Sequence, residues 1–304
     1  MDKGKIKKKI KSAKIRLLRA FDWALTDRQY LKILFRIKMG KPLRLDPPVT
    51  FNEKLQWLKL YNRRDEYTDM VDKVEAKRFA AERIGENYII PTLGVWDSFD
   101  DIDFDSLPDK FVLKTTHGGG NSGVVICRDK SKFDIRAAKI KLEKSLKGDI
   151  YSAFKEWPYK NVHRRIFAEE LLDDGTNEQI LDYKFYCFNG KTDYVMVCTD
   201  RCVGAANYYF FDRNWQFHRI NVIGKGAPEG FTLPRPKNLD EMFLVAEKLS
   251  VGLPCVRVDL YNVNGRVYFG EYTFFSASGF DKDFPPETDL AFGQKVVLPE
   301  KTVK

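Results

Sequence analysis

The sequence predicts an α+β protein carried behind a basic helical arm. Three observations lead there. Apolar residues recur at helical spacing up to Gly85, short β-branched and aromatic runs take over from Tyr88, and cationic residues crowd the first 44 positions. With 304 residues, 43% of them apolar, the chain can bury a large core in two domains or one composite one. The expected divisions are an arm over 1–48, an N-terminal subdomain over 49–110, a glycine-loop subdomain over 111–172 and a C-terminal subdomain over 173–304.

Residues 1–44 hold fifteen Lys and Arg against three acids, more than the net charge of +9, so the remainder is near neutral. Ile6, Ile10, Ile15, Leu17, Leu18 and Phe21 line one side of a helix whose other side is basic. Anionic lipid headgroups or an acidic polymer suit that pattern, and a solvated or partner-packed helix suits it equally. No apolar h-region marks a secretory signal, and no run approaches the roughly 20 apolar residues of a membrane span. Cys127, Cys187, Cys198, Cys202 and Cys255 form no C-x-x-C pair and read as reduced thiols of a cytosolic protein, with the inner face of the membrane as a peripheral location.

After Asp46-Pro47-Pro48, Thr50 and Glu53 make a capping box for the helix FNEKLQWLKLY. Asp69 to Gly85 reads as one helix, on which Lys73 and Lys77, four apart, share a face. NYIIPTLGVWDSF, DKFVLKT and GVVICRD read as strands, Asp134 to Gly148 as a helix. RIFAEELL and DYKFYCF are strands around the loop DDGTNEQ, and YVMVCTD and NYYFFDRN are two more. A final helix over Leu239 to Ser250 leads to the hairpin VRVDLYNVNGRVYFGEYTFF.

The chemistry gathers at Lys114, which ends a strand just before the glycine loop Gly118-Gly119-Gly120-Asn121-Ser122-Gly123. A dinucleotide loop would open a helix and a Walker A loop would follow its last glycine with Lys and Ser or Thr; VVIC follows here. What remains is a strand, a flexible loop and a return strand, whose backbone N–H groups can fold over phosphates. Protein kinases use such a flap, but their lysine comes one strand later. His117 stands beside the flap, to touch phosphate or to bond backbone. At the far end Glu271 and Thr273 share a strand face, and magnesium favours one or two carboxylates plus phosphates. A two-residue Asn264-Gly265 turn would put Asp259 opposite Gly270. A three-residue Val263-Asn264-Gly265 loop brings Asp259 and Glu271 together, and this loop is expected.

In order, Asp72-Lys73-x-x-x-Lys77, FVLK with GGGNSG, Glu169-Glu170-Leu171-Leu172, and Arg257-x-Asp259 followed by Glu271-x-Thr273 resemble the ATP-grasp superfamily. TFNEKLQWLKLY, DKVEAK, LPDKFVLKTTHGGG, DYKFYCFNGK and the hairpin resemble its TupA-like branch, associated with teichuronopeptide and surface polysaccharide biosynthesis, over about residues 49 to 285. The resemblance implies an ATP-grasp fold, two α+β subdomains gripping ATP between them.

It also implies roles. Lys114, with Lys73 or Lys77, would hold phosphate oxygens under the flap of Gly118 to Gly123 and His117. Glu169 would accept from the adenine amino group, and the backbone of Glu170, Leu171 and Leu172 would read the ring edge. Asn177, Glu178 and Asp182 compete for the ribose, with Glu178 chosen, and Lys184 joins the nucleotide set. Asp259 and Glu271 would hold one or two Mg2+, with Thr273 where many relatives carry Asn, and Arg257 would stabilise charge in transfer. The implied reaction joins a carboxylate and an amine through an acyl phosphate, the carboxylate a uronic acid and the amine an amino acid or small amine. Arg201, Arg213, Arg219, Ser276, Ser278 and Gly279 are the acceptor-side candidates. A glycosyltransferase using Asp101-Ile102-Asp103, or an ATP-dependent sugar kinase on the same fold, are the alternatives; a specific nucleic-acid site has no motif.

Overall fold

The computed structural model describes residues 3–120, 122–176, 180–199 and 206–302. Two antiparallel sheets face a common cleft. The first holds β1 (Thr92–Trp96), β2 (Phe111–Thr115), β3 (Val124–Cys127) and β4 (Ile166–Glu170) in the order β1-β4-β2-β3. The second holds β5 (Asp182–Phe188), β6 (Lys191–Thr199), β7 (Asn207–Phe211), β8 (Phe217–His218), β9 (Cys255–Val263) and β10 (Arg266–Thr273) in the order β10-β9-β5-β6-β7-β8.

The helices are α1 (Lys3–Ala20), α2 (Asp27–Met39), α3 (Phe51–Tyr61), α4 (Glu66–Val71), α5 (Glu75–Ile84), α6 (Ile135–Leu146), α7 (Ile150–Phe154), α8 (Val222–Lys225), α9 (Leu239–Ser250) and α10 (Pro286–Lys295). The alternation of side chains decides what each sheet faces. Phe111, Leu113, Ile166 and Ala168 pack with Ala138 and Leu142 of α6, leaving Val112, Lys114, Phe167 and Glu169 for the cleft. In the second sheet Phe185 meets Phe243 of α9 edge-on at 5.0 Å, leaving Asp182, Lys184, Arg257 and Asp259 on the other face.

The capping box of α3 forms as expected, with Thr50 Oγ1 accepting from Glu53 N and Glu53 Oε2 accepting from Thr50 N at 3.1 Å. Other expectations need correction. The single helix over Asp69 to Gly85 is two, because the Asp72 carboxylate accepts from Val74 N at 2.9 Å and Glu75 N at 3.2 Å and starts α5 afresh. Lys73 therefore sits in the break, its amide bonded to Thr116 O, and does not share a helix face with Lys77. Leu239 to Ser250 is not the final helix, since α10 follows the hairpin and packs aromatic-rich against α3, with Phe292 5.8 Å from Phe51. The arm is two helices, and its apolar residues divide between two sides of α1: Leu18 is buried and Ile15 packs on the core, whereas Ile6, Ile10 and Leu17 are exposed.

The hairpin reaches the expected face-to-face carboxylates by another device. Val263 pairs with Arg266, so the turn is the two-residue Asn264-Gly265, both left-handed with φ of 54° and 76°. The register then slips between Phe269 and Glu271, a β-bulge at Gly270 that sets Glu271 opposite Asp259 and Thr273 opposite Arg257. A Cβ on Gly270 would lie 2.9 Å from the Asp259 carbonyl and 3.1 Å from the Tyr261 ring, so the bulge requires glycine.

Candidate active site

The first sheet supplies a carboxylate held between two lysines. Register places Val112 beside Glu169 and Lys114 beside Phe167 on the cleft face. Lys114 pairs with Glu169 Oε1 and Lys77 with Oε2 at 2.7 Å, the Lys77 ammonium also donating to Ile90 O at 2.8 Å and Thr92 Oγ1 at 3.0 Å. Burial by itself would raise the Glu169 carboxyl; Lys114 first and Lys77 second reverse that and hold it below the ordinary range. Burial lowers the Lys77 pKa, with Glu169 opposing that shift. Glu169 thus spends both oxygens on lysines, and the backbone of Glu170 to Leu172 borders the cleft beside it.

The second sheet supplies the acid pair. Arg257 grips Asp259 with Nε at 2.7 Å from Oδ1 and an Nη at 2.8 Å from Oδ2, and donates to Thr273 Oγ1 at 3.0 Å. Lys184 lies between Asp259 and Asp182, the latter pair at 2.7 Å. Lys73 reaches across from the break before α5 to Glu271 at 2.5 Å. Burial would raise the Glu271 carboxyl, and Lys73, Lys184 and Arg257 together hold it at about 2. Burial would likewise lower Lys184 and Arg257, and their carboxylates keep both raised. Each site carboxylate therefore faces a cation, in two separate clusters: Glu169 with Lys77 and Lys114 on the first sheet, and Asp182, Asp259 and Glu271 with Lys184, Arg257 and Lys73 at the second.

Between these charged banks Ile90, Val112, Ile126, Phe167, Ile180 and Tyr261 give the cleft an apolar floor. Arg128, which sequence reasoning did not single out, lines the same cleft, as does Gly120 of the loop. The loop is anchored from behind: Thr115 Oγ1 and Ser145 Oγ are 2.8 Å apart, and a Cβ on Gly118 or Gly123 would stand 2.3 or 2.2 Å from that Thr115 oxygen. Ser122 Oγ donates to Gly119 O at 2.9 Å. His117 lies on the far side of the loop, buried, with Nε2 3.2 Å from Ser145 O and its pKa lowered by burial; it lines a separate hollow with Lys141 and Lys144.

Ser276, Ser278 and Gly279 follow β10 in a bend where Ala277, Ser278 and Gly279 are all left-handed, with φ of 49°, 54° and 64°. One face of α3 grips it. Asn52 Oδ1 accepts from Asp281 N at 2.7 Å, Gln56 Nε2 donates to Gly279 O at 2.7 Å, and Lys59 Nζ donates to Ser278 O at 2.8 Å and Phe154 O at 2.9 Å. All three side chains are fully buried, and Glu156 is buried near Lys59. Spaced four and three apart, Asn52, Gln56 and Lys59 form a polar stripe on a helix otherwise buried by Phe51, Leu55 and Leu58, a signal readable in the sequence.

Arg213 pairs with Glu247, and Arg219 donates to the carbonyls of Ala227 and Pro228, so neither joins the cleft. Asp101 and Asp103 lie in an exposed turn, Asp103 Oδ1 accepting from Asp105 N. Asn121, Asn177, Glu178 and Arg201 fall outside the described residues. Among the described residues no three His, Cys, Asp or Glu cluster as a metal cage. The donor set of Asp259 and Glu271 fits Mg2+ that arrives with phosphate oxygens; Thr273 Oγ1 already accepts from Arg257.

A family model described as TupA-like ATPgrasp matches residues 53–297. Comparison with curated proteins found no match. Among solved structures the chain is similar to D-alanine-D-alanine ligase from Helicobacter pylori, at TM-score 0.42 and 14% identity over 83% of this chain and 62% of that one. It is similar to D-cycloserine synthetase DcsG at 0.43 and 13%, over 75% and 69%. ATP-grasp ligase PsnB with a phosphomimetic precursor variant, Mg and ADP stands at 0.41 and 13%, over 90% and 73%. The chain thus spans about three fifths of the length of the first of these.

Proposed function

We propose, for a chain that belongs to the TupA-like ATP-grasp family, an ATP- and Mg2+-dependent ligase that joins a carboxylate to an amine. The observation that carries the reading is Glu271 set opposite Asp259, under Arg257 and four lysines, in a cleft with an apolar floor. Phosphoryl transfer needs positioning and charge neutralisation, and this chain's residues offer both.

In this reading the adenine lies on Phe167, Val112 and Ile180 along the backbone of Glu170 to Leu172. Lys114 and one of Lys73 and Lys77 turn from their carboxylates to the α- and β-phosphates, and the glycine loop closes over them. Glu169 Oε1, released as Lys114 turns away, would accept from the adenine amino group while Oε2 keeps Lys77. Asp259 and Glu271 would hold Mg2+, which would supply charge neutralisation to the phosphates. The acceptor carboxylate oxygen attacks the γ-phosphorus, ADP leaves, and Arg257 steadies the charge on the transferred group. The amine then attacks the acyl carbon, loses a proton and expels phosphate, leaving an amide. Ser276, Ser278 and Gly279, in the bend after β10, would face the acceptor.

The acceptor is a uronic acid of a capsular or other surface polysaccharide, or its precursor, and the donor amine an amino acid or small amine. The basic arm directs such an enzyme to an anionic partner at the inner face of the membrane. No helix among the described residues is long and apolar enough to cross a membrane.

The test is a product balance with Mg·ATP, uronic acids or their nucleotide forms, and amino acids and amines. ADP and phosphate released only with both co-substrates, together with an amide by mass, and lost in Lys114→Ala and Glu271→Ala, are expected. ADP with a phosphorylated product would make the enzyme a kinase. Sugar-nucleotide binding without ATP use would favour the glycosyltransferase.

A further inference from the structure

Helix α1 has two apolar seams, and the body covers only one. Ile15 and Leu18 pack toward the core, and Lys11 Nζ donates to Lys38 O of α2 at 3.1 Å. On another side Ile6, Ile10 and Leu17 stand 37%, 51% and 62% exposed. At 3.6 residues per turn these three fall within about 40° of one another, a single outward stripe. Lys7 and Lys14 flank it on one side and Lys9 and Arg16 on the other. Across its 18 residues α1 has nine cations and no acid.

The stripe ends in aromatics. The turn after α1 is tied inward by Asp22, whose carboxylate lies 2.6 Å from Lys155 Nζ, and the same turn throws Trp23 outward to 84% exposure beside Phe21 at 52%. A solvated helix has no use for an aligned row of aliphatic and aromatic side chains, and an acidic polymer gains little from burying them. A bilayer surface with anionic headgroups uses both features at once. Apolar side chains enter the headgroup boundary, Trp sits at the interface, and flanking lysines extend to the charged headgroups.

We infer that this outer face lays α1 flat on an anionic lipid bilayer, with Leu17, Phe21 and Trp23 inserted and the flanking lysines and Arg16 on the headgroups. The assignment rests on the arm's own surface and stands or falls separately from the ligase reading. Because the opposite seam is packed on the body, membrane binding needs no unfolding of the arm.

The experiment is co-sedimentation of the full chain with vesicles of pure phosphatidylcholine and of an equal mixture with phosphatidylglycerol. The variants are Leu17→Glu with Trp23→Glu, and Leu244→Glu as a control at a comparably exposed site on α9. Binding to the mixed vesicles alone is expected, weakened by about tenfold or more in the double variant, as loss of two buried apolar side chains implies, and unchanged in the control. Gln at Lys7, Lys9, Lys14 and Arg16 should abolish the preference for the anionic lipid. No binding to the mixed vesicles, or binding indifferent to the double variant, overturns the inference. Retention on polyglutamate that survives the double variant would reassign the face to an acidic polymer. A dimer in sedimentation velocity that the double variant dissolves would reassign it to a second copy.

Discussion

The Lys59 ammonium, fully buried on α3, donates to the Ser278 carbonyl at 2.8 Å and so fixes a left-handed bend that follows the metal-strand candidate Thr273. Its other acceptors are Phe154 O and Gln56 Oε1 at 2.9 and 3.1 Å, using all three of its protons. Burial pulls its pKa down to about 7, with Glu156 opposing.

Lys59→Met strands the buried carbonyls of Ser278 and Phe154 and is expected to cost about 1–3 kcal/mol at neutral pH in urea unfolding. The pH dependence has a definite sign. A lysine whose folded pKa lies below its unfolded one binds fewer protons when folded, so its contribution to stability rises with pH from about 7 to about 10.5. The stability gap between wild type and Lys59→Met should therefore widen from pH 7 to pH 9; a gap that narrows would show that Lys59 is not depressed.

Gly270→Ala pushes a methyl group against the Asp259 carbonyl and forces the bulge to rearrange. Overpacking of this kind costs about 1–3 kcal/mol, and displacing Glu271 from Asp259 by as little as an ångström should reduce turnover about 100-fold. Thermal unfolding together with the product balance checks both, and full activity in a folded variant would remove the acid pair from the mechanism.

Gly118→Ala meets mainly Thr115 Oγ1, whereas Gly123→Ala meets both Thr115 Oγ1 and Ser145 Oγ at 2.5 Å. Thr115→Ala should consequently restore much of the stability and ATP affinity lost in Gly118→Ala and little of that lost in Gly123→Ala. Nucleotide titration of the four single and double variants is the measurement, and equal rescue of both would contradict the placement of the loop.

Glu169→Gln leaves Lys77 and Lys114 facing a neutral amide at a site only 3% exposed. A loss of about 3–5 kcal/mol is expected without nucleotide. Saturating Mg·ATP should raise the melting temperature of this variant more than that of the wild type, since phosphates then neutralise the lysines. A smaller rise would mean that these lysines do not meet phosphate.

Most elements were legible because alternation, helical spacing and turn residues are local: the strand Asp182–Phe188 and the helix Leu239–Ser250 match their expected spans. What local pattern cannot show is who meets whom. Helix propensity favoured continuity through Asp72, and the competing turn made by its own carboxylate became visible only with Arg165 against it at 3.3 Å. The facing of Asp259 and Glu271 was expected from a longer turn, but a bulge under tertiary contact with Tyr261 achieves it. The spacing of Asn52, Gln56 and Lys59 marks a polar stripe on its helix, but the bend that Lys59 holds, 219 residues away, shows only once the chain is folded.

The pairing of both acids of the second sheet with cations carries an implication for the order of binding. With Asp259 matched by Arg257 and Lys184, and Glu271 by Lys73, a bare divalent ion would have to compete with cations already paired to both carboxylates. A nucleotide carrying its ion offers those cations new partners in the same event. Assembly is thereby ordered, nucleotide and ion entering as one body, and titration calorimetry should give heat for Mg·ATP and almost none for MgCl2 added alone.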